Sequence, residues 1–561
     1  MTIRSYLEKF AQETPTAEAF RFCRAKEWLV RTYAEFRASV VETAQAYGTK
    51  FGLKPRVENV AQILPNGPDW VEIYLACSGA GVSVVPLDPK LHDEEVAYIL
   101  RDSEAVVVTV DKAHLTMMRA IVPDLPHVRA VVIVDGGQAD YPPIGTVPVY
   151  DYATLQVEGR TALAAGAASW YAANVARDED VASVIYTSGT TGKPKGAMLT
   201  QGNFVADATG ALDVFGEKIT ADDSFLVVLP LFHAFSFCAN LVVPVLLGAS
   251  MRFVRSLYTI GEDVRLLEPS VLMSVPLLAE KIYDRIDAKL KSSRKARFLM
   301  KIGLKGLVLN AVKKSLGGRV RFIIVGGAPC PHHVLKGFAS LGIVMLEGYG
   351  LTECSPVVSI AGPKCARIGT IGQKISNIDV RLADPNEQGV GELQVRGPIT
   401  MKGYWHNDAA TAEAFDAGGW LKTGDLASIA DDGLITIRGR KKALIVNREG
   451  KNIYPEEVEN WIGADPFVAD CIVIGYTVGG VPGEKVGCIV HPNVDWLKEQ
   501  HPGKEFAWDE IAALAQKHVH ARCAELADYK RVRKISVVPD PLVRTSIQKV
   551  KRVVYKNALD E

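Results

Sequence analysis

A loop rich in glycine and hydroxyl side chains constrains this chain more than any other stretch. Residues 186–196 read Tyr-Thr-Ser-Gly-Thr-Thr-Gly-Lys-Pro-Lys-Gly. The residues before it, 181–186, are apolar and β-branched, which indicates a buried strand. Glycines let backbone N–H groups approach a ligand, hydroxyls donate hydrogen bonds, and lysines supply charge. The stretch therefore predicts a phosphate-binding loop rather than a plain polar turn.

This loop differs from the Walker P-loop. In the P-loop, the lysine is followed by Ser or Thr at the start of a helix. Here Lys193 is followed by Pro194, which has no N–H group to donate. We therefore predict a loop that closes over phosphates without a helix starting at its lysine, and a plain P-loop NTPase is disfavoured.

Apolar strand patterns alternate with helical patterns along the first 175 residues. The strand patterns at 60–65, 82–87 and 105–110 are apolar on both faces. Strands of this kind, separated by helices, predict an α/β fold with a mostly parallel sheet covered by helices on both sides. The Ala- and Gly-rich residues 162–173 predict a surface loop.

Length and composition indicate a multidomain protein without a nucleic-acid partner. The chain of 561 residues exceeds one ordinary hydrophobic core. Lys plus Arg and Asp plus Glu number 64 each, so no net charge attracts nucleic acid. The nine cysteines have no metal-binding spacing, and the N-terminus is charged where a signal peptide is apolar. We expect a soluble cytoplasmic protein with free thiols.

Residues 225–237 predict an apolar strand that ends in aromatic side chains around His233. A histidine in such a segment fits two interpretations. It is either satisfied inside a hydrophobic core or placed at the mouth of a ligand pocket, and this segment alone does not decide between them.

Two further loops have the composition of a nucleotide site. A strand pattern at 322–325 runs into the small residues 326–329, and another runs into the motif 347–353. In open α/β sheets, ligands bind beyond the carboxyl ends of the strands. Small residues let a planar base approach the backbone, Tyr349 would stack on that base, and Glu353 is a hard oxygen ligand for Mg²⁺.

Residues 278–318 form a long amphipathic helical pattern with eleven Lys or Arg and three acidic residues. Two interpretations stay open. The commoner one is a solvated helix face. The other is a helix that lies on an anionic membrane surface.

The pattern changes near residue 380 to the alternation of half-exposed antiparallel strands. Asp425 follows a tight turn and would accept hydrogen bonds from two ribose hydroxyls, although turn chemistry alone also explains an aspartate there. Asp432-Gly433 indicates a hairpin. Residues 439–442 mark a boundary before a smaller unit with its own strands and helices.

These stretches together, in this order, resemble the adenylate-forming superfamily of acyl- and aryl-CoA synthetases, luciferases and peptide-synthetase adenylation domains. The resemblance is carried by residues 186–196, 230–233, 326–329, 348–353, 419–425 and 439–442. Within the superfamily, the chain resembles medium- and long-chain fatty acyl-CoA synthetases most closely at residues 280–283, 346–356, 403–405 and 450–457.

The resemblance implies an α/β fold in two domains. The large N-terminal domain would consist of parallel-rich sheets layered with helices plus a β-barrel-like part. This domain, with the ATP and acyl pockets, would span 1–439. A hinge at 440–442, around Lys442, would lead to a small mobile α+β C-terminal domain at 443–561.

The resemblance also implies roles for particular residues. The catalytic residues would be Lys549, Glu353, Thr190 and His233, with Mg²⁺ on Glu353. The ATP and AMP site would comprise Thr187, Ser188, Gly189, Thr190, Thr191, Gly192, Lys193, Lys195, Gly326, Gly327, Ala328, Pro329, Glu347, Gly348, Tyr349, Gly350, Thr352, Asp425, Ile437 and Arg440. The acyl pocket would comprise His233, Phe235, Phe237, Val325 and Gly350.

The position of the catalytic lysine rests on an imperfect match. The family has this lysine in a Pro-Arg-Thr-x-x-Gly-Lys context, whereas residues 543–549 read Val-Arg-Thr-Ser-Ile-Gln-Lys. Val543 and Gln548 depart from the pattern. Lys549 is therefore the candidate, and Lys551 is the alternative.

The implied activity is the ATP-dependent activation of a carboxylic acid, expected to be a medium- or long-chain fatty acid, followed by transfer to CoA. The implied cofactors are ATP, Mg²⁺ and CoA. Transfer to a carrier protein, activation of an aryl acid, and an inactive nucleotide-binding sensor or scaffold stay open as alternatives. The sequence leaves the oligomeric state open, as well as peripheral contact with the inner membrane face through residues 278–318.

Overall fold

A computed structural model of the chain describes residues 1–137, 140–187, 193–302, 304–363, 366–478, 484–544 and 550–560. The chain divides into two compact units. One comprises Met1–Asp379 with Val395–Leu421, and the other comprises Val380–Gln394 with Lys422–Glu561. The hinge predicted at 440–442 stays a prediction.

The first unit contains an eight-stranded sheet that positions the loop at 186–196. Its strands follow the order Gly403–Tyr404, Lys195–Thr200, Val181–Thr187, Ser83–Pro86, Asn59–Ile63, Val107–Val110, Ala130–Ile133 and Val149–Asp151. The six strands from Val181–Thr187 to Val149–Asp151 are parallel, and the other two pair antiparallel. Their apolar side chains on both faces form the core, as the continuous apolar runs predicted.

A nine-stranded sheet lies in the same unit. Its strands follow the order Gln373–Lys374, Val357–Ile360, Val344–Gly350, Phe322–Val325, Val271–Ser274, Ser224–Val227, Ser250–Phe253, Glu18–Arg24 and Glu27–Thr32. The six strands from Val344–Gly350 to Glu18–Arg24 are parallel, while the outer strands pair antiparallel. The prediction of parallel-rich sheets is confirmed.

The helices of the first unit cover these sheets. They are Ile3–Glu13, Tyr33–Lys50, Pro68–Ser78, Asp93–Asp102, Leu115–Ile121, Tyr152–Ala164, Trp170–Ala173, Gln201–Phe215, Ala234–Phe237, Val243–Leu247, Ile260–Leu267, Pro276–Ser292, Arg294–Lys301, Lys305–Ser315, His332–Ser340 and Asp408–Ala414, with a π-helical turn at Cys238–Val242. In the described part of the chain, no helix has the length and apolarity needed to cross a membrane.

Three local predictions need correction. The surface loop predicted at 162–173 is confined to residues 165–169, because alanines extend the helix Tyr152–Ala164 and a short helix, Trp170–Ala173, buries Tyr171. The strand predicted at 225–237 ends at Val227, since Pro230 turns the chain and a helix begins at Ala234. The single helical pattern at 278–318 is divided into three helices.

The second unit consists mainly of antiparallel sheets with three helices. A four-stranded sheet has the order Asp379–Ala383, Gly391–Arg396, Leu421–Ile429 and Ile435–Arg440. A two-stranded sheet pairs Ile445–Val446 with Asn452–Ile453, and a three-stranded sheet has the order Val468–Tyr476, Lys485–Pro492 and Lys534–Val537. The helices are Pro455–Ile462, Val494–Gln500 and Trp508–Cys523. Phe467 is fully buried in the core that these elements share.

Candidate active site

The predicted phosphate loop connects two antiparallel strands. Thr187 lies opposite Lys195, and Tyr186 lies opposite Gly196, at the end of this hairpin next to the loop. A side chain could not replace Gly196, because a Cβ there would lie 2.7 Å from Cγ1 of Val184. The loop therefore leaves one strand and enters another, without the helix start that a Walker P-loop requires.

Several predicted residues lie outside the described residues. They are Ser188, Gly189, Thr190, Thr191 and Gly192 of the loop and the candidate catalytic Lys549. Their assigned roles stay predictions.

Helix Asp93–Asp102 braces the base of the loop. The Tyr98 hydroxyl donates a hydrogen bond to the Pro194 carbonyl at 3.2 Å. The Lys193 ammonium lies 5.3 Å from the centre of the Tyr98 ring, within range of a cation–π contact. The Tyr186 hydroxyl donates to the Asp102 carboxylate at 2.6 Å. The sequence did not indicate Tyr98 or Asp102, because nothing in the helix Asp93–Asp102 shows that it contacts the loop at 186–196, much later in the chain.

The predicted metal ligand Glu353 contacts a tyrosine, and that tyrosine contacts a lysine. The Tyr404 hydroxyl donates to Oε1 of Glu353 at 2.8 Å. The Lys195 ammonium lies 5.4 Å from the centre of the Tyr404 ring. Burial raises the pKa of Tyr404, and the Glu353 charge raises it further. The phenol therefore keeps its proton and holds one oxygen of the carboxylate in place.

This cluster fits a magnesium ion bound together with nucleotide phosphates. Mg²⁺ usually takes one or two carboxylates plus substrate phosphates, rather than a cage of protein ligands. Among the described residues, no group of three or more His, Cys, Asp or Glu forms such a cage. Glu353, in the short turn Thr352–Cys354, supplies the single hard oxygen ligand that this mode needs.

Two strand ends place the predicted adenine segments side by side. Val325 pairs with Glu347, so residues 326–329 and 348–350 both follow the carboxyl ends of parallel strands. Gly326 is buried, whereas residues 327–329 are exposed. A Cβ on Gly326 would lie 3.3 Å from both the Gly348 carbonyl oxygen and the Phe235 ring. The structure thus brings both Phe235, from the predicted acyl pocket, and Gly348, from the second predicted adenine segment, close to Gly326 of the first.

Gly350 has a packing role that its sequence did not reveal. A Cβ at this position would lie 1.8 Å from the Pro356 carbonyl oxygen. The same carbonyl accepts a hydrogen bond from the Leu351 N–H at 3.0 Å. Only glycine fits this close approach of the two backbones. The nucleotide and acyl contacts predicted for Gly350, and the stacking predicted for Tyr349, stay predictions.

Glu347 has a strongly perturbed carboxyl group. Burial raises its pKa from the ordinary 4.5 to about 7, although backbone N–H groups of Cys330 and Gly369 favour the charged form. Such a group in a cleft is a candidate for a functional site. It is half-protonated near neutral pH, directly before the motif glycines at 348 and 350.

The predicted acyl segment is partly core. Phe237 is buried, with its ring centre 4.6 Å from that of Tyr74 and 4.7 Å from that of Phe204. His233 is half-buried, and its ring centre lies 4.5 Å from that of Phe232. These contacts account for the aromatic side chains by packing, and the pocket role predicted for His233, Phe235 and Phe237 stays a prediction.

A buried aspartate connects this segment to the Glu353 motif. Asp207, on helix Gln201–Phe215, accepts hydrogen bonds from Sγ of Cys238 at 2.9 Å and from the Val357 N–H at 2.8 Å. Burial raises its pKa well above the ordinary value. Asp207 therefore positions the strand that follows Glu353, and a lone aspartate in an apolar helix gave no signal of this in the sequence.

In the second unit, Asp425 and Arg440 lie opposite each other on neighbouring strands. The Arg440 Nε is 2.8 Å from Oδ1 of the buried Asp425. The Asp425 N–H donates to the Thr423 hydroxyl at 3.0 Å, and that hydroxyl donates to the Leu393 carbonyl at 2.7 Å. These contacts fix the carboxylate. The tight turn predicted before Asp425 is wrong, because Gly424, with φ of +70°, lies inside the strand Leu421–Ile429.

The other predicted residues of this unit have simpler surroundings. Ile437 is half-buried in strand Ile435–Arg440. Lys442 is exposed in the short turn Lys441–Ala443. The ribose contact of Asp425, the nucleotide contact of Ile437 and the hinge at Lys442 stay predictions.

Known proteins share this arrangement of motifs. A match to the family described as AMP-binding enzyme covers residues 7–405. The chain belongs to the AMP-binding enzyme family. Membership agrees with the placement of the hairpin loop, the paired strand ends and Glu353 in one compact unit.

Relatives of this AMP-binding enzyme include long-chain acyl-CoA ligases. It is 31% identical over 442 residues to the long-chain-fatty-acid–CoA ligase FadD15 of Mycobacterium bovis, covering 72% of this chain and 69% of the relative. It is 30% identical over 517 residues to the peroxisomal long chain acyl-CoA synthetase 7 of Arabidopsis thaliana, covering 85% and 72%.

Two solved structures share its fold. The ATP-bound MatB of Rhodopseudomonas palustris is 25% identical with a TM-score of 0.76, and all of both chains is covered. The anthranilate CoA ligase AuaEII, in complex with anthranoyl-AMP, is 21% identical with a TM-score of 0.77, covering 99% of this chain and 96% of the other. The latter likeness is one of fold alone.

The raised pKa of Glu347 predicts a stability difference that depends on pH. A folded-state pKa of about 7 against an ordinary 4.5 means that the native state binds the proton more tightly. The contribution of Glu347 is therefore fully present below 4.5 and is lost as pH rises through 7. A Glu347→Gln variant should gain Tm relative to the wild type across this range. The exposed Glu387→Gln is the control, and a constant Tm difference for Glu347→Gln would contradict the raised pKa.

Proposed function

We propose that this AMP-binding enzyme activates a medium- or long-chain fatty acid with ATP and then transfers the acyl group to CoA. The observation that carries the proposal is the cluster of Glu353, Tyr404 and Lys195 at the base of a phosphate-type loop. The names of the long-chain acyl-CoA ligases among its relatives support the choice of acid. ATP, Mg²⁺ and CoA are the substrates and cofactor that this reaction requires.

The first half-reaction converts a carboxylate, which is a poor acyl donor, into an activated acyl donor. A carboxylate cannot expel oxide, so its oxygen attacks the α-phosphorus of ATP, and the bond to the bridging oxygen of pyrophosphate breaks. The products are acyl-AMP and pyrophosphate. Phosphoryl and nucleotidyl transfers of this kind depend on positioning and charge neutralisation more than on covalent help from the protein.

Residues of the first unit would meet these needs. Lys193 and Lys195 bring positive charge to the C-terminal end of the loop, where it enters the strand Lys195–Thr200. Glu353, held by Tyr404, would bind Mg²⁺, which neutralises phosphate charge when bound. Lys195 lies against the ring of Tyr404, so the cation and the metal ligand are positioned by one side chain.

The second half-reaction forms the thioester. The thiolate of CoA attacks the acyl carbon, the bond to the AMP oxygen breaks, and AMP leaves. In the proposal, Asp425 and Arg440 hold the ribose, and Lys549 acts in the first step only. A rotation of residues 443–561 about Lys442 between the steps is part of the proposal, as a hinge motion.

The enzyme would work in a reducing compartment, for which we propose the cytoplasm. The eight described cysteines are all free thiols. Free thiols persist where glutathione and thioredoxin keep proteins reduced.

A panel of acids tests the proposed substrate class. We expect acid-dependent ATP–pyrophosphate exchange to be highest with medium- or long-chain fatty acids, and thioester to form with free CoA. Release of AMP and pyrophosphate is the measurement. Preference for aromatic acids or for a phosphopantetheine-loaded carrier protein would contradict the substrate or the acceptor, respectively. Failure of exchange with every acid would point to an inactive nucleotide sensor.

A lysine comparison tests the proposed catalytic residue. Lys549→Ala should reduce acyl-AMP formation about 100-fold or more, because it removes charge stabilisation from the transition state. Thioester formation from supplied acyl-AMP and CoA should stay largely intact. Lys551→Ala is the matched control, and a greater loss of adenylation with that variant would assign the role to Lys551.

Removal of the Tyr404 hydroxyl tests whether it positions Glu353. Tyr404→Phe removes the hydrogen bond to the carboxylate, and bonds to charged groups contribute about 1.5–3 kcal/mol. We expect the Mg²⁺ concentration for half-maximal adenylation to rise about tenfold or more, with weaker Mn²⁺–ATP binding by paramagnetic resonance. Tyr141→Phe, which loses only a hydrogen bond to the Gly136 carbonyl, is the control. An unchanged metal requirement for Tyr404→Phe would mean that the hydroxyl does not position Glu353.

A further inference from the structure

Helix Arg294–Lys301 exposes both charged and apolar side chains. Four of its eight residues are Lys or Arg, and none is acidic. Phe298 is 61% exposed, and none of the helix residues whose side chains are described is buried. A surface helix normally buries its apolar stripe against the core. Among the described side chains of this helix, Phe298 is exposed and Leu299 is only half-buried.

The two neighbouring helices fix its position. In Pro276–Ser292, the Tyr283 ring fills the space beside Gly337, where a Cβ would lie 2.2 Å from the ring. In Lys305–Ser315, Val308 and Val312 are buried. The exposed helix is therefore held between two anchored helices and is not a free tail.

The apolar exposure continues past the helix end. Ile302 is 50% exposed, Leu304 46% and Leu307 56%. Phe298 and Ile302 are four residues apart and joined by a backbone hydrogen bond of 3.1 Å, so they share one helix face. We call residues 294–302 and 304–307 the basic apolar surface.

All charged side chains between residues 288 and 321 are positive. No acidic residue occurs between Asp287 and Glu347, whereas residues 288–321 contain eleven Lys or Arg. Lys291 pairs with Asp287 at 2.7 Å. Over the described residues, the cations of the helix have no ion-pair partner; they are Arg294, Lys295, Arg297 and Lys301.

We propose that the basic apolar surface binds reversibly to an anionic lipid bilayer. A solvated helix face explains the cations but leaves four large apolar side chains in water. A nucleic acid or an acidic protein would match the charge without requiring this apolar patch. An anionic membrane matches both, because apolar side chains enter the headgroup boundary while cations contact lipid phosphates. The proposal depends on these helices alone and not on the proposed fatty acid–CoA ligase activity.

Vesicle binding tests this surface. The full-length protein is mixed with vesicles of phosphatidylcholine alone or with added phosphatidylglycerol, at low and high salt, and bound protein is measured by cosedimentation. One variant replaces Arg294, Lys295, Arg297 and Lys301 with Gln, and a second carries Phe298→Ser. The matched control replaces four exposed cations elsewhere with Gln: Lys26, Lys54, Lys112 and Arg119.

We expect the wild type and the control to bind only the anionic vesicles, with binding lost at high salt. The four-cation variant should bind at least about tenfold more weakly, because each cation near an anionic surface contributes favourably. Phe298→Ser should also weaken binding, because it removes an inserted side chain. Adenylation of a water-soluble acid should be equal in all variants, which shows that they fold and separates this test from the proposed function. Equal binding of the wild type and the four-cation variant, or binding to neutral vesicles alone, would overturn the proposal.

Discussion

The pairing of a two-residue strand with the second strand of the loop hairpin organises this active site. Gly403 and Tyr404 pair with Met198 and Ala197, and the Trp405 N–H donates to the Gly196 carbonyl at 2.7 Å. This pairing brings a tyrosine from late in the chain beside the lysine that ends the loop. Without it, Glu353 would lose the hydroxyl that holds its carboxylate.

The same pairing also fixes the turn that contains Glu353. The Met401 N–H donates to the Glu353 carbonyl at 2.8 Å, and the Ser355 hydroxyl donates to the Ile399 carbonyl at 2.8 Å. One short segment, 399–404, therefore contacts both the loop hairpin and the turn of the predicted metal ligand. Because the strand pairing and the bond from Met401 to Glu353 use backbone groups, they orient the two elements without depending on flexible side chains.

Residues next to each other in sequence were the ones that sequence reasoning placed correctly. The strand before the loop and the strand leading to Gly326 both follow from local composition and periodicity. Tyr404, Asp102 and Asp207 could not be found in this way, since each acts through a partner far away in the chain. The helix Trp170–Ala173 was missed for a different reason. The Ala- and Gly-rich composition predicted a loop, whereas Tyr171 is buried and anchors a short helix.

Asp207 shows why a site of this kind needs a polar group inside its core. An isolated buried carboxylate is costly, and burial raises the pKa of Asp207 well above its ordinary value. Its two hydrogen bonds reach Cys238, after the aromatic acyl segment, and Val357, after the Glu353 turn. Apolar packing alone would permit these two segments to slide, because dispersion contacts have no direction. A hydrogen-bonded acid in their shared core has a direction, so it fixes the predicted acyl segment relative to the metal ligand.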